Sequence, residues 1–304
     1  MRVAIIGMGS NSLRMLIADV QNNTFQQVTR ARDGLRVFAA LSTDAGGIVS
    51  TEMISQAANA IQNMKNIALE LKCEVIKLFA TSATRDCVNK DEFLGAILEH
   101  TGLHTDVLSG NQEAMFSFLG ATNGKSGGVI DIGGGSTEVA IGTQTESYFM
   151  HSFQLGAVRL FRKVPIQNTK DALHAVELAK QIIAEKQSQI LAANKKLELH
   201  TYYGVGGTFT SLAALVQNIP WSQYEDIHNF IVSKETVYNK MLELADMSVE
   251  ERSALISMQK SRADIIVNGI AVLYACMDCF HIKEVCVSTK GNLEGYLIHH
   301  LLSN

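Results

Sequence analysis

Hydrophobic and polar residues follow one another along the chain in blocks that predict strands and helices by turns. Short apolar runs rich in β-branched residues, typical of buried strands, occur at 2–6, 75–80 and 128–132. Over 52–71 apolar residues recur every three or four positions, which predicts an amphipathic helix. Helices are also predicted over 91–100, 109–120, 171–191 and 261–280. Strands alternating with helices predict an α/β fold with largely parallel sheets.

The second half of the chain begins like the first. Residues 5–12 (IIGMGSNS) and 129–137 (VIDIGGGST) both predict a strand, a glycine-rich turn and a returning strand, with Gly7 aligned to Asp131. Two related halves predict two domains, 1–124 and 125–293, with the C-terminal helix 294–304 completing the first. They also predict a ligand held in the cleft between the domains.

Composition narrows the class of protein. Hydrophobic residues make up 47% of the 304 residues, which excludes a disordered chain, and 26 basic against 30 acidic residues argue against a nucleic-acid binder. The apolar runs are too short for a signal peptide or a membrane span, so we expect a cytoplasmic protein. The five cysteines include a C-x-x-C pair, Cys276 and Cys279, which apolar neighbours mark as reduced core residues rather than a zinc or redox pair.

The two glycine turns predict a phosphate site. Without Cβ atoms the backbone approaches an anion closely, and successive N–H groups form a concave nest. A single such turn is weak evidence, but two matched turns and a third at 204–208 favour a phosphate ligand. The residues expected to bind phosphate here are Ser10, Asn11, Ser12, Gly133, Gly134, Gly135 and Ser136.

Two carboxylates flank the second turn. Asp131 ends one strand and Glu138 lies near the start of the next, so both can approach one cation. Mg²⁺ prefers one or two carboxylates together with substrate phosphate, and we therefore expect Mg²⁺ at this pair. The alternative is that both are surface charges of a hairpin.

Three further charged residues are candidates with simpler alternatives. Arg85 follows a buried strand end, where α/β proteins place ligand contacts, although it could equally be an ordinary arginine at a helix entry. Arg14 lies on a returning strand and could simply face solvent. Glu113 lies in the first turn of a helix opened by a Ser109-x-x-Gln112 capping box, where the helix dipole alone favours a carboxylate.

Seven short motifs are spread over the chain: GSNSxR at 9–14, ATSAxRD at 80–86, SGxxEA at 109–114, DIGGGSTE at 131–138, LGAVRL at 155–160, GxGGT at 204–208 and RAD at 262–264. Together they resemble the exopolyphosphatase/guanosine pentaphosphate phosphohydrolase (Ppx/GppA) family over nearly the whole chain. The length resembles the family's short, two-domain form.

The resemblance implies two ribonuclease-H-like domains of the actin-like ATPase superfamily flanking a phosphate-binding cleft. It implies Mg²⁺-dependent hydrolysis of the terminal phosphate of inorganic polyphosphate. Glu113 would activate the water, Asp131 and Glu138 would belong to the metal site, and Arg14 and Arg85 would neutralise the phosphates. The expected partner is inorganic polyphosphate or guanosine pentaphosphate, with no nucleic acid and no membrane. A homodimer is left open.

Three positions depart from the family pattern. Gly7 stands where the family carries an acid, Gln112 replaces a frequent glutamate, and Leu293 replaces a common arginine. We expect the lost acid to weaken metal binding and Gly7→Asp to restore it.

Three other functions compete with an exopolyphosphatase. Guanosine pentaphosphate presents the same terminal phosphate. The departures at Gly7 and Gln112 favour a sensor that binds phosphate ligands and turns them over poorly, whereas Glu113 opposes it. A sugar kinase or ATPase of the same superfamily is disfavoured by the SGxxEA and RAD motifs.

Overall fold

The structure is a computed structural model that describes residues 1–37, 41, 47–199 and 201–302. The chain divides into two compact units. Unit 1 comprises 1–116 and 292–304, and unit 2 comprises 117–291. The repeat predicts divisions at 124/125 and 293/294 instead. Residues 303–304 of the predicted C-terminal helix lie outside the described residues.

Unit 1 contains a five-stranded mixed sheet of β1 (Arg2–Met8), β2 (Leu13–Gln21), β3 (Thr24–Asp33), β4 (Val75–Ala80) and β5 (Thr105–Val107). The spatial order is β3-β2-β1-β4-β5. The central strand β1 pairs antiparallel with β2 and parallel with β4. Its residues 3–8 are all buried, which explains the unbroken apolar run.

Four helices follow the strands of unit 1: α1 (Thr51–Glu70), α2 (Ser82–Asp86), α3 (Lys90–Thr101) and α4 (Gly110–Thr122), the last of which continues into unit 2. Ser50 caps α1, since its side chain accepts a hydrogen bond from the N–H of Met53 at 3.2 Å. The face of α1 with Ile54, Ala58 and Ile61 is buried, as the three-and-four spacing predicts.

Unit 2 is built on a six-stranded sheet of β6 (Gly127–Ile132), β7 (Thr137–Gly142), β8 (Ser147–Phe153), β9 (Thr201–Val205), β10 (Ile231–Ser233) and β11 (Glu284–Val287). The order is β10-β11-β9-β6-β7-β8. As in unit 1, the central strand β6 pairs antiparallel with the next strand, β7, and parallel with β9. The strand order β8-β7-β6-β9-β11 therefore repeats β3-β2-β1-β4-β5, which confirms the internal repeat.

The helices of unit 2 are α5 (Ala157–Lys163), α6 (Thr169–Leu197), α7 (Gly207–Gln217), α8 (Lys234–Ala245), α9 (Val249–Ala254) and α10 (Ile266–Cys279). Helix α10 is buried almost throughout and packs against α6. Cys276 and Cys279 lie in this core, as predicted. The last helix, α11 (Asn292–Leu297), belongs to unit 1.

The structure corrects two of the predictions made from the sequence. The sheets are mixed rather than largely parallel, because each glycine hairpin adds antiparallel strands to a parallel set. The helix predicted at 261–280 begins only at Ile266, since Lys260–Arg262 form a separate 3₁₀ turn. Within the described ranges, no helix combines the length and apolar character needed to cross a membrane.

Candidate active site

The two glycine hairpins have the same backbone geometry. In hairpin 1 (residues 7–14) the N–H of Gly9 donates to the carbonyl of Ser12 at 3.0 Å, and in hairpin 2 (residues 131–138) the N–H of Gly133 donates to that of Ser136 at 3.0 Å. Each bond closes a tight loop at the end of a central strand.

The N–H groups within the two loops remain available to a ligand. In the described part of the chain, those of residues 10–12 and 134–136 have no protein acceptor. The side chains of Ser10, Asn11, Ser12 and Ser136 are buried. Three successive N–H groups without acceptors form a nest that suits a phosphate.

The carbonyl side of hairpin 2 is held by α5. The N–H groups of Ala157 and Val158 donate to the carbonyls of Gly133 and Gly134 at 2.9 Å, and Arg159 Nε donates to the carbonyl of Gly135 at 2.6 Å. With the carbonyls engaged by α5 and Arg159, the conformation of this loop is fixed before any ligand arrives. Arg159 lies in the LGAVRL motif, but nothing in the sequence indicates this role.

The charges at the two hairpins are inverted. In hairpin 2, Asp131 lies directly opposite Glu138 in the ladder, so both side chains project from the same face of the sheet. In hairpin 1 the equivalent pair is Gly7 and Arg14. Arg14 is half-buried and has no hydrogen-bond or ion-pair partner among the described residues. Hairpin 2 therefore carries two carboxylates where hairpin 1 carries one cation.

Asp131 and Glu138 are buried rather than surface charges, with exposures of 6% and 3%. The hydroxyl of Ser117 donates to Asp131 Oδ2 at 2.5 Å, and the hydroxyl of Ser152 donates to Glu138 Oε1 at 2.6 Å. Two buried carboxylates directly opposite each other repel, and a shared cation relieves that repulsion.

The donor set at this pair fits Mg²⁺, which takes one or two carboxylates and completes its shell with water and phosphate oxygens. Across the described residues, no cluster of three or more histidine, cysteine or acidic side chains could hold a metal ion. Among those residues, a metal held by Asp131 and Glu138 would have no third histidine, cysteine or acidic ligand.

The space next to Gly7 is filled by apolar side chains. A Cβ atom at this position would lie 2.7 Å from Phe79 Cζ and 3.1 Å from Leu293 Cδ2. The missing acid and the missing arginine of the family pattern are therefore neighbours, and an apolar contact takes their place. This revises the expectation for Gly7→Asp, since the structure leaves no room there for a carboxylate.

The third glycine turn lies against Asp131. Gly206 has φ +100°, and a Cβ atom there would approach the carbonyl of Ile132 at 2.7 Å and Asp131 Oδ1 at 3.0 Å, so only glycine suits this position. The guanidinium of Arg262 packs directly over Gly207 and is buried. Arg262 belongs to the RAD motif and places a positive charge beside this turn.

Glu113 lies in the first turn of α4 and is 3% exposed. Arg85 Nη1 donates to Glu113 Oε1 and also to the carbonyl of Leu108 at 2.7 Å. The capping box of α4 is confirmed, because the N–H of Ser109 donates to Gln112 Oε1 at 2.9 Å and the N–H of Gln112 donates to Ser109 Oγ at 3.3 Å. Glu113 is therefore a buried carboxylate whose orientation is set by Arg85.

Three residues that support the site were not predicted from the sequence. They are Ser117, Ser152 and Arg159. The role of Ser152 follows only from the pairing of β7 with β8, which places it opposite Glu138. Ser117 lies on α4 four residues after Glu113, and no local motif marks either serine as a partner of a carboxylate.

Comparison with known proteins assigns the chain to a family. A model of the Ppx/GppA phosphatase family matches residues 16–304. The chain is 32% identical over 288 residues to Exopolyphosphatase 2 of Mycobacterium tuberculosis, covering 90% of this chain and 88% of that protein.

Solved structures share the fold. The Ppx/GppA family member of Aquifex aeolicus is 25% identical, with a TM-score of 0.79 over 99% of this chain and 98% of that one. An exopolyphosphatase from Cytophaga hutchinsonii is 22% identical, with a TM-score of 0.85 over 99% and 98%. The predicted fold class, an α/β protein of two domains, is thereby confirmed. The chain belongs to the Ppx/GppA phosphatase family, and it is a hydrolase that acts on phosphoanhydride bonds.

Proposed function

We propose that this protein is an exopolyphosphatase, which removes the terminal phosphate of inorganic polyphosphate with the help of Mg²⁺. The observation that carries the proposal is hairpin 2, where a nest of N–H groups adjoins two buried carboxylates on one face of the sheet. A phosphate nest beside a pair of metal-binding carboxylates suits phosphoryl transfer, in which catalysis is mostly positioning and charge stabilisation.

Glu113 is the proposed general base. Water attacks the terminal phosphorus in line, the new P–O bond forms as the bridging P–O bond breaks, and the water's proton passes to Glu113. The products are orthophosphate and a chain shorter by one phosphate. Arg85 Nη1 donates to Glu113 Oε1, so Arg85 holds this carboxylate in one orientation.

The phosphate oxygens are bound by the N–H groups of the two hairpins and by Arg14. The loop residues involved are Ser10, Asn11, Ser12, Gly133, Gly134, Gly135 and Ser136. The fixed backbone of hairpin 2 means that its donors need no reorganisation when charge develops on the phosphoryl oxygens. Arg85 is assigned to Glu113 rather than to substrate, because its guanidinium donates to Glu113 Oε1 and to the carbonyl of Leu108.

Asp131 and Glu138 are the proposed metal ligands. Members of the family generally depend on a divalent metal. The chemistry that bound Mg²⁺ supplies is neutralisation of charge on the phosphate oxygens. Ser117 and Ser152 hold the two carboxylates in place for it.

The decisive experiment measures phosphate release from long-chain polyphosphate and from guanosine pentaphosphate side by side, with Mg²⁺ and with EDTA. We expect Mg²⁺-dependent release from polyphosphate. Faster release from guanosine pentaphosphate would make the protein a nucleotide phosphohydrolase instead. Binding without release from either substrate would support the sensor.

The matched variants are Glu113→Gln and Glu99→Gln. The first removes the base while keeping the side-chain size, whereas Glu99 is an exposed carboxylate on α3 and serves as the control. General-base catalysis contributes about 10²–10⁴-fold, so kcat of the first variant should fall by that factor. Equal activity of both variants would remove Glu113 from the mechanism.

A further inference from the structure

The side chain of Asn11 in hairpin 1 is only half satisfied. It is 4% exposed, and its Oδ1 accepts a hydrogen bond from Arg36 Nε at 3.1 Å. Its amide nitrogen Nδ2 is fully buried and has no hydrogen-bond partner in the described part of the chain. Leaving a buried N–H donor without an acceptor costs free energy, so an acceptor from outside the protein would stabilise this group.

Arg36 determines which end of the Asn11 carboxamide has no hydrogen-bond partner. A guanidinium carries only donors, so it must face the carboxamide oxygen and not its NH₂ group. The NH₂ group therefore points away from Arg36. Arg36 follows β3 and lies in no motif of the sequence, and nothing in the local pattern connects it to the loop 25 residues earlier.

The unsatisfied NH₂ group lies in the loop whose N–H groups at residues 10–12 also have no protein acceptor. Several donors without acceptors on one loop suit a tetrahedral oxyanion, which has several acceptor oxygens. Hairpin 1 also lacks a carboxylate to hold a cation, because Arg14 takes the register position of Glu138, and Phe79 and Leu293 fill the space beside Gly7. An anion at this loop is therefore bound directly by donors.

We propose that Arg36 is a positioning residue that orients the Asn11 carboxamide toward a phosphate, so that hairpin 1 binds phosphate without a metal. The proposal rests on the proposed function, in which hairpin 1 binds phosphate. It adds that the binding energy at hairpin 1 does not depend on Mg²⁺.

The test uses the full chain and inorganic phosphate as the probe, measured by calorimetry in EDTA. The variants are Arg36→Met, Asn11→Ala and their double variant. Arg2→Met is the matched control, because Arg2 starts β1 at the end of the sheet opposite the hairpin and pairs with Asp19. The KM and kcat for polyphosphate are measured in parallel.

We expect the wild type and the Arg2→Met control to bind phosphate in EDTA equally well. Arg36→Met and Asn11→Ala should each weaken binding by about tenfold or more, the range for hydrogen bonds to charged groups. In the Asn11→Ala background, Arg36→Met should change binding by less than about twofold, because Arg36 acts through Asn11. The same variants should raise KM for polyphosphate more than they lower kcat.

Several results would overturn the proposal. They are the absence of phosphate binding by the wild type in EDTA, unchanged binding by Arg36→Met, and equal effects of Arg36→Met with and without Asn11. Should Arg36→Met not fold, Asn11→Asp decides, since it still accepts from Arg36 but has no NH₂ group. Wild-type binding by that variant would refute the donor role. If polyphosphate is not hydrolysed, the proposed function fails, while phosphate binding still decides this inference.

Discussion

Substituting Gly7 tests whether hairpin 1 can accommodate a carboxylate at the position that corresponds to Asp131 in hairpin 2. The φ angle of Gly7 is not positive, so a side chain there meets steric obstacles rather than backbone strain. A Cβ atom would lie 2.7 Å and 3.0 Å from two ring atoms of Phe79, and 3.1 Å from Leu293 Cδ2. All of these atoms belong to buried side chains that cannot move into solvent.

The magnitude follows from these contacts. Overpacking a core position costs about 1–3 kcal/mol, which is the expected loss of stability for Gly7→Ala. Gly7→Asp adds the burial of a carboxylate beside an aromatic ring and a leucine, which costs several kcal/mol more. A domain whose free energy of unfolding is roughly 5–15 kcal/mol would be left only marginally stable.

Urea unfolding measures the effect, with Phe79→Leu as the relieving change. Phe79→Leu removes the ring atoms that approach position 7, so Gly7→Ala should cost at least about 1 kcal/mol less in that background. A Mg²⁺ titration of any folded Gly7→Asp protein should show no tighter binding than wild type. A Gly7→Asp protein with the wild-type unfolding midpoint, or with clearly tighter Mg²⁺ binding, would refute this account.

Three further predictions concern the proposed site and the fold. Asp131→Asn should raise the Mg²⁺ concentration needed for half-maximal activity, because a neutral amide is a poorer ligand for a hard cation, and a titration that overlays wild type would contradict this. Affinity for polyphosphate should fall with salt, since exposed charge contacts are screened beyond about 8–10 Å. It should also rise with chain length, and equal turnover of simple aryl phosphates would indicate a generic phosphatase instead. Lys180 and Lys234 hold the pKa of Asp278 below its ordinary value, so this carboxylate stabilises unit 2 above its unfolded-state pKa and ceases to do so as the pH falls through the folded pKa. Asp278→Asn should therefore lower the unfolding midpoint at pH 7 and change it less at pH 2, and an equal loss at both pH values would show that charge is not the cause.

Local pattern determines much of this protein. Strand β4 has the bounds that its apolar residues predict, and α1 begins and ends one residue before the predicted range of 52–71. The capping box at Ser109 is likewise a local feature. These elements follow from the sequence because their signals are contained within a few neighbouring residues. Edge strand β3 is different: it is mostly exposed, so no apolar period marks it.

The candidate site combines both kinds of information. Glycine turns and the acids beside them are visible in the sequence, since such turns need particular residues at fixed positions. Which groups support them depends on strand register and on long-range packing. Ser152 is opposite Glu138 only because β7 and β8 pair in one register, and Arg36 reaches Asn11 only because the chain returns after β3.

The first hairpin shows the division most clearly. The sequence shows that Gly7 stands where the repeat carries Asp131, and it suggests that a carboxylate could be restored there. The folded chain leaves no space for it, because β4 brings Phe79 beside Gly7 in the ladder and α11 brings Leu293 from the far end of the chain. Whether an acid fits at a position depends on the volume around it, and that volume is set by residues distant in sequence.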